Sequence, residues 1–201
     1  RWVNEQLSRP PFLNLTATCL TLSTFTSRFI FPQLSLEGRR FWVLGMIPMD
    51  RRAILWGKFI FSFTGALCVS ELLIFISNRM LALEGELTLY HGLTVAAICL
   101  GLSGLSVGLG AMYPNFREDN PSKIVAGFGG TLNLMLSLAF VSAVVALVVY
   151  PYHQTNGLQN WSPTQYAERI GWFIAAITGL TVVTTVLPMA LGFRTLERMD
   201  L

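Results

Sequence analysis

The feature that most constrains this chain is residues 124–150, a long run without a single charged side chain. An α-helix rises 1.5 Å per residue, so about 20 apolar residues cross a hydrocarbon core of ~30 Å. Helices are favoured over strands because they satisfy their backbone hydrogen bonds internally. The fold class predicted is therefore all-α: one polytopic transmembrane domain over residues 1–201, with about five spans. These lie at about 12–31, 58–79, 90–113, 124–150 and 168–193.

Composition excludes a water-soluble globular domain. The chain is 53% hydrophobic and 12% charged, with a mean hydropathy of +0.55, whereas soluble domains carry about 25% charged residues. The net charge of +3 is too small to predict a nucleic-acid partner. Cys19, Cys68 and Cys99 lie in apolar runs without CxxC spacing, so we interpret them as small buried side chains. The chain starts at Arg1 without a signal-peptide pattern, so a fragment of a longer protein is expected.

The distribution of Lys and Arg predicts the orientation. If the first span ends in the cytoplasm, ten basic residues lie inside: Arg28, Arg39, Arg40, Arg51, Arg52, Lys58, Arg117, Lys123, Arg194 and Arg198. Four lie outside: Arg1, Arg9, Arg79 and Arg169. The positive-inside rule then places the chain start outside and the chain end inside, in a multi-pass protein of the cell membrane. The polar segment 151–167 is predicted to be an outer loop.

The first inner connection, residues 34–58, has the pattern of a short helix at the membrane surface. Ser35 can cap this helix, Glu37 follows in its first turn, and Pro48 ends it. Its charged and aromatic surface comes from Arg39, Arg40, Phe41 and Trp42. The sequence therefore predicts an amphipathic interfacial helix that is hinged to the next span.

Asp50 marks the start of that next helix, which is expected to run unbroken from Arg51 to about Arg79. Arg51 and Arg52 stand in its first turn, where cations oppose the helix dipole. Anionic lipid headgroups, the topology or an acidic partner must therefore favour them there.

The second inner connection, residues 112–124, is short and charged. Pro114 ends the third span, and Asn120 with Pro121 forms a good N-cap and N1 pair for the fourth. Between the two prolines lies a charged turn: Phe116, Arg117, Glu118, Asp119 and Asn120.

The glycines predict close helix packing. Gly104 and Gly108 have the small-xxx-small spacing that lets helix backbones approach. Gly127, Gly129 and Gly130 open the fourth span. Their GFGG segment lacks the GxGxxG pattern and the Lys-Ser/Thr of a phosphate-binding loop, so packing is preferred to nucleotide binding.

Two polar residues within spans are candidates for a polar path through the membrane. Glu71 lies deep in the second span, where an acid is costly and marks function by default, and His91 is its most plausible partner. Asn133 could line the same path or form interhelical hydrogen bonds. No catalytic constellation and no metal-ligand spacing is present in the water-accessible segments, so no catalytic, cofactor or metal residue is predicted.

Two segments resemble a known family. SLEGRRFWVLGMIPMDRRAILWGK (35–58) resembles the SLEG-x-x-FW-x-L…P…K stretch of ABC-2-type transporter permeases. YPNFREDNPSKIVAGFGGTLNLMLSL (113–138) resembles that family's YP-x-F-x-x-x-NPS-K-I…GFGG-T-L stretch. The two segments cover about a quarter of the chain, in matching order and spacing.

The resemblance implies the C-terminal half of an exporter permease that moves substrate together with a separate cytoplasmic ATPase. The chain itself would be no enzyme, would hold no cofactor and would leave ATP to the partner subunit. Membrane lipids and a second permease in a dimer would be further partners. The coupling residues implied are Arg39, Arg40, Phe41, Trp42, Asp50, Arg51, Arg52, Phe116, Arg117, Glu118, Asp119 and Asn120.

Two other classes of function remain open. One is a membrane enzyme acting on lipids, with its catalytic half missing from this sequence. The other is an ion-coupled secondary transporter, for which Glu71 would be the coupling-ion site.

Overall fold

The computed structural model describes residues 10–40, 51–83, 85–157 and 163–198. Every regular element within these ranges is helical, which confirms the predicted all-α class. Helix α1 spans Pro10–Phe25 and continues into a π turn, Thr26–Ile30, and a 3-10 turn, Phe31–Gln33. A 3-10 helix, Ser35–Arg40, follows. The remaining helices are α2 (Arg51–Met80), α3 (Gly85–Met112), α4 (Pro121–Ala126), α5 (Phe128–Gly157) and α6 (Pro163–Arg198).

Four helices are long and apolar enough to cross a membrane: Arg52–Met80, Thr88–Met112, Phe128–Tyr150 and Gly171–Arg198. They correspond to the second to fifth predicted spans, and they give the chain the character of a multi-pass membrane protein. The first predicted span, 12–31, is not among them. The α-helical part of α1 has only 16 residues, because the hydrogen bonding changes to the wider π turn at Thr26.

Helix α3 is the centre of the bundle. It buries 78% of its most apolar stretch, whereas α2, α5 and α6 bury 28%, 33% and 22% of theirs. Helices α1, α2, α5 and α6 all pack against it. Large apolar side chains on the outer helices point away from the protein, among them Phe61, Met135 and Val183. Such a surface would be an aggregation liability in water, but it suits contact with lipid chains.

The second predicted helix ends as expected. It runs from Arg51 to Met80, and Ala82 then takes a positive φ of 50°. Leu83 N–H donates to Asn78 O at 3.2 Å and Ala82 N–H to Arg79 O at 3.1 Å. This pattern is a Schellman cap, which satisfies carbonyls that the helix end leaves free.

Two predicted elements differ in the structure. The fourth span is broken at Gly127, whose extended backbone (ψ 172°) separates α4 from α5. The outer segment 151–167 is mostly helical, since α5 continues to Gly157 and α6 starts at Pro163. A helix satisfies its own backbone, so polar side chains at the membrane surface do not end it.

Candidate functional site

The two inner connections that the sequence analysis singled out meet at one end of the bundle. Asn115 N–H donates to the Ser35 hydroxyl at 3.0 Å, which joins the loop after α3 to the 3-10 helix before α2. Ser35 was expected to cap its own helix, and the hydrogen bond from Asn115 gives its hydroxyl a second role. The hydroxyl is fully buried and serves a segment 80 residues away.

Two ion pairs add to this connection. Lys58 of α2 pairs with Glu37 of the 3-10 helix, and both side chains are largely buried. Arg52 Nε of α2 lies 2.6 Å from Glu197 Oε1 of α6, in an exposed pair. The pair is screened by solvent and adds little to stability, but it supplies an acidic partner for Arg52 at a positive helix end. We call Ser35, Glu37, Arg52, Lys58, Asn115 and Glu197 the linked end of the bundle.

An apolar cluster lies directly beneath the linked end. Its buried members come from five parts of the chain: Ile30, Leu34, Leu55, Phe59, Val107, Ala111, Met189 and Leu196. Phe116 and Phe193 pack against it, and the Trp56 ring lies 6.1 Å from that of Phe193. Burial of this cluster makes the linked end one packed unit.

The charged turn between α3 and α4 is held by short-range hydrogen bonds. The Asn120 side chain accepts from Ser122 N–H at 3.0 Å, which confirms it as the N-cap of α4. Arg117 N–H donates to Asn115 Oδ1 at 3.2 Å. Lys123 Nζ lies 3.4 Å from Glu118 Oε2. Arg117, Asp119 and Asn120 are exposed, so this turn presents both charges to its surroundings.

The remaining predicted coupling residues have fewer described features. Arg39 and Arg40 lie in the 3-10 helix, and Arg51 is the first residue of α2. Phe41, Trp42 and Asp50 lie outside the described residues, as does most of the predicted interfacial helix.

Asn133 is fully buried and connects three helices. Its Nδ2 donates to Ser27 Oγ of the π turn at 3.1 Å, and Ser106 Oγ of α3 donates to its Oδ1 at 3.3 Å. The structure thus gives Asn133 interhelical hydrogen bonds, which was the second of its two interpretations.

Glu71 lies apart from Asn133, toward the other end of α2. Its Oε2 would be 3.2 Å from a Cβ placed on Gly92, and its Oε1 is buried without a hydrogen-bond partner among the described residues. His91, expected beside Glu71, has its Nδ1 3.3 Å from Asn78 Oδ1. Ser77 hydroxyl donates to Asn14 Oδ1 at 2.7 Å close by.

The predicted packing glycines lie at close helix contacts. A Cβ on Gly104 would lie 2.6 Å from Thr185 Cγ2, and one on Gly108 would overlap the Pro188 carbonyl group. Both contacts join α3 to α6. Gly192 completes the approach, because a Cβ there would lie 2.9 Å from Gly108 O.

The other three predicted glycines surround the break before α5. Gly127 is the C-cap of α4, and a Cβ on Gly130 would overlap Val125 O. A Cβ on Gly129 would lie 2.6 Å from that of Tyr113. Only residues without a Cβ allow the chain to turn this tightly.

Sequence reasoning missed several residues of the linked end and of the Asn133 contacts: Lys58, Asn115, Glu197, Ser27 and Ser106. Each has a partner on a different helix or loop, so local patterns carry no signal for it. Within the described residues, no group of three or more His, Cys, Asp or Glu could hold a metal ion.

Comparison with protein families gives one match. The family described as "Putative ATP-binding cassette" matches residues 7–201, which is almost the whole chain. No curated protein and no solved structure matches this chain.

The match corrects the identification drawn from the resembling segments. The family is described as an ATP-binding cassette and not as an ABC-2-type permease, so the prediction of a permease subunit is wrong. The prediction that the chain is no enzyme is contradicted by the same description. The motifs in the two segments consist largely of caps, prolines and glycines, and such residues occur at helix ends in proteins with different functions. Two broader predictions are confirmed: the chain is related to ABC transporters, and it has the helices of a membrane protein.

Proposed function

Because the chain belongs to this ATP-binding cassette family, we propose that it is the membrane-spanning component of an ATP-hydrolysing cassette system. The described residues supply four apolar helices long enough to cross a bilayer. The family description names ATP binding, and the helices would anchor that ATP-binding activity to the membrane.

The observation that carries this proposal is the linked end. Hydrogen bonds and ion pairs connect α2, α6, the 3-10 helix and the turn before α4 at a single end of the bundle. Movement of an ATP-binding unit docked there would reach several helices, because the hydrogen bond and the two ion pairs join their ends. The exposed Arg117, Asp119 and Asn120 offer charged and polar contacts to such a unit.

We further propose that the linked end lies on the cytoplasmic side of the cell membrane. Arg52 and Lys58 of the linked end belong to the ten basic residues assigned to the inside, against four assigned to the outside, and basic residues are retained in the cytoplasm. Anionic lipid headgroups at that surface would contact the exposed arginines.

A labelling experiment tests this orientation. In a variant with the native cysteines replaced, single cysteines are introduced by Glu118→Cys and Gly157→Cys, and intact cells are treated with a membrane-impermeant maleimide. We expect labelling at position 157 and none at 118 until the cells are permeabilised. Labelling of position 118 from outside would contradict the orientation.

A second experiment tests coupling through the linked end. We expect Ser35→Ala to lower ATP hydrolysis by the intact system in lipid nanodiscs severalfold. It leaves Asn115 N–H without its acceptor, at a cost of about 1 kcal/mol, which corresponds to a roughly fivefold change in an equilibrium.

Ser77→Ala is the matched control, since it removes a hydroxyl that bonds to an asparagine at the opposite end. We expect this variant to hydrolyse ATP at the wild-type rate. Equal loss in both variants would assign the effect to general destabilisation. An intact wild-type system without ATP hydrolysis above background would refute the proposed function itself.

A further inference from the structure

Helices α1, α3 and α5 stack their side chains in matching layers. Ser27, Ser106 and Asn133 form one layer through their hydrogen bonds. Four residues after Ser27, Phe31 of the 3-10 turn that continues α1 faces Gly110 and Gly129. A Cβ would lie 2.5 Å from Phe31 O on Gly110 and 3.0 Å from Phe31 Cζ on Gly129. A step of four residues therefore runs forward in α3 and in the turns that continue α1, and backward in α5.

The same step in the opposite direction predicts the next layer. This layer lies about one helical turn away, at a rise of about 4.5–6 Å along the helix axes. It is reached four residues before Ser27, three to four before Ser106 and four after Asn133. The residues at these positions are Ser23, Ser103 and Ser137. Three helices thus place a serine at one level of the bundle.

All three hydroxyls lack a partner among the described residues. Ser23, Ser103 and Ser137 each have 0% of their surface exposed. None of their Oγ atoms has a hydrogen-bond partner in the part of the chain that the structure describes. A hydroxyl buried without a partner destabilises the folded protein, and three at one level would do so several times over.

The layer is closed on both sides. Toward the linked end it meets the satisfied Asn133 layer. One step the other way, Cys19, Cys99 and Val141 are all at most 1% exposed. Whatever satisfies the three hydroxyls must therefore be held inside the bundle.

We propose that Ser23, Ser103 and Ser137 bind an ordered water molecule that links α1, α3 and α5. A buried water typically makes about three hydrogen bonds to groups that would otherwise be unsatisfied, which matches three hydroxyls. A cation is disfavoured because the layer contains no carboxylate, and an uncompensated charge is far more costly in this environment than a neutral molecule. This inference is independent of nucleotide binding.

The first test measures thermal unfolding of the intact protein in nanodiscs. Each single Ser→Ala variant removes one ligand of the water, so we expect the midpoint to fall by about 2–4 °C, the shift that ~1 kcal/mol produces in a protein of this size. Double variants should lose less than the sum of the singles, because the first substitution already releases the water.

Thr181→Val is the matched control. Thr181 on α6 also has a buried hydroxyl without a partner among the described residues, but it lies outside the layer. We expect its midpoint to stay the same or to rise, and its effect to add to that of Ser103→Ala. If the three Ser→Ala variants keep or raise the unfolding midpoint, and if their effects add in the double variants, the layer holds no water and the proposal is overturned.

The second test detects the water directly. In solid-state NMR of the protein in bilayers, magnetisation transferred from water should reach Ser103 and Ser137 after short transfer times. The buried Val144 should give a signal only after long transfer times. Transfer to the two serines as slow as that to Val144 would overturn the proposal. So would a midpoint raised by Na⁺ relative to K⁺ or choline in the wild type but not in Ser103→Ala, because that result would identify a cation.

Discussion

Replacing Gly108 with alanine is expected to destabilise the protein by about 3 kcal/mol, at the upper end of the cost of overpacking. The added Cβ would overlap the Pro188 carbonyl group and lie 2.7 Å from Met189 N. These atoms are backbone, so no side-chain rotation relieves the contact and α6 must move away from α3. Unfolding of the protein in nanodiscs, followed thermally or by steric trapping, measures the loss.

The matched control is Gly179→Ala, on the same helix pair. Gly179 has nothing within 4 Å of the position of its Cβ. Alanine favours a helix over glycine by up to about 1 kcal/mol, so this variant should be as stable as the wild type or slightly more so. If Gly108→Ala is equally stable, the close approach of α3 and α6 is refuted.

Replacing Asn133 with leucine is expected to cost about 2 kcal/mol. The side chains are similar in size, so the change removes mainly two interhelical hydrogen bonds, each worth ~0.6 kcal/mol on average in membranes. Ser106 loses its acceptor and Ser27 its donor, which adds the cost of buried unsatisfied hydroxyls. The same unfolding assay measures this effect.

Two further variants separate hydrogen bonding from packing at this site. Thr131→Val should have little effect, because the Thr131 hydroxyl is exposed and donates only to nearby backbone, Gly127 O and Phe128 O. Adding Ser27→Ala and Ser106→Ala to Asn133→Leu should recover part of the loss, since no orphaned hydroxyl remains. If Asn133→Leu is as stable as the wild type, the three-helix connection contributes nothing to stability.

The elements that follow from local chemistry were predictable. The lengths of the apolar runs predicted the four described helices that can cross a membrane, because the thickness of the bilayer sets the length that a spanning helix needs. Asn120 was predictable as an N-cap because a side-chain oxygen at that position reaches the next free N–H groups. The spacing of Gly104 and Gly108 predicted a packing face without saying which helix lies against it.

The function of the chain was less accessible to motif reasoning. The segments around Trp42 and Asn120 resemble a permease family, yet the family match is to an ATP-binding cassette. Caps, prolines and glycines report how a chain turns, and turns of the same kind occur in proteins with different functions.

By itself, the sequence determined the helical class, the approximate helix bounds and the residues unable to face lipid without cost, because these depend on neighbours along the chain. The tertiary structure alone decided which residues meet. Ser35 and Asn115 are 80 residues apart, Ser27 and Asn133 are 106 apart, and Arg52 and Glu197 are 145 apart. The break at Gly127 likewise depends on what packs beside it. Such pairings depend on how whole helices stack around α3, and helix packing is a property of surfaces rather than of any local run of residues.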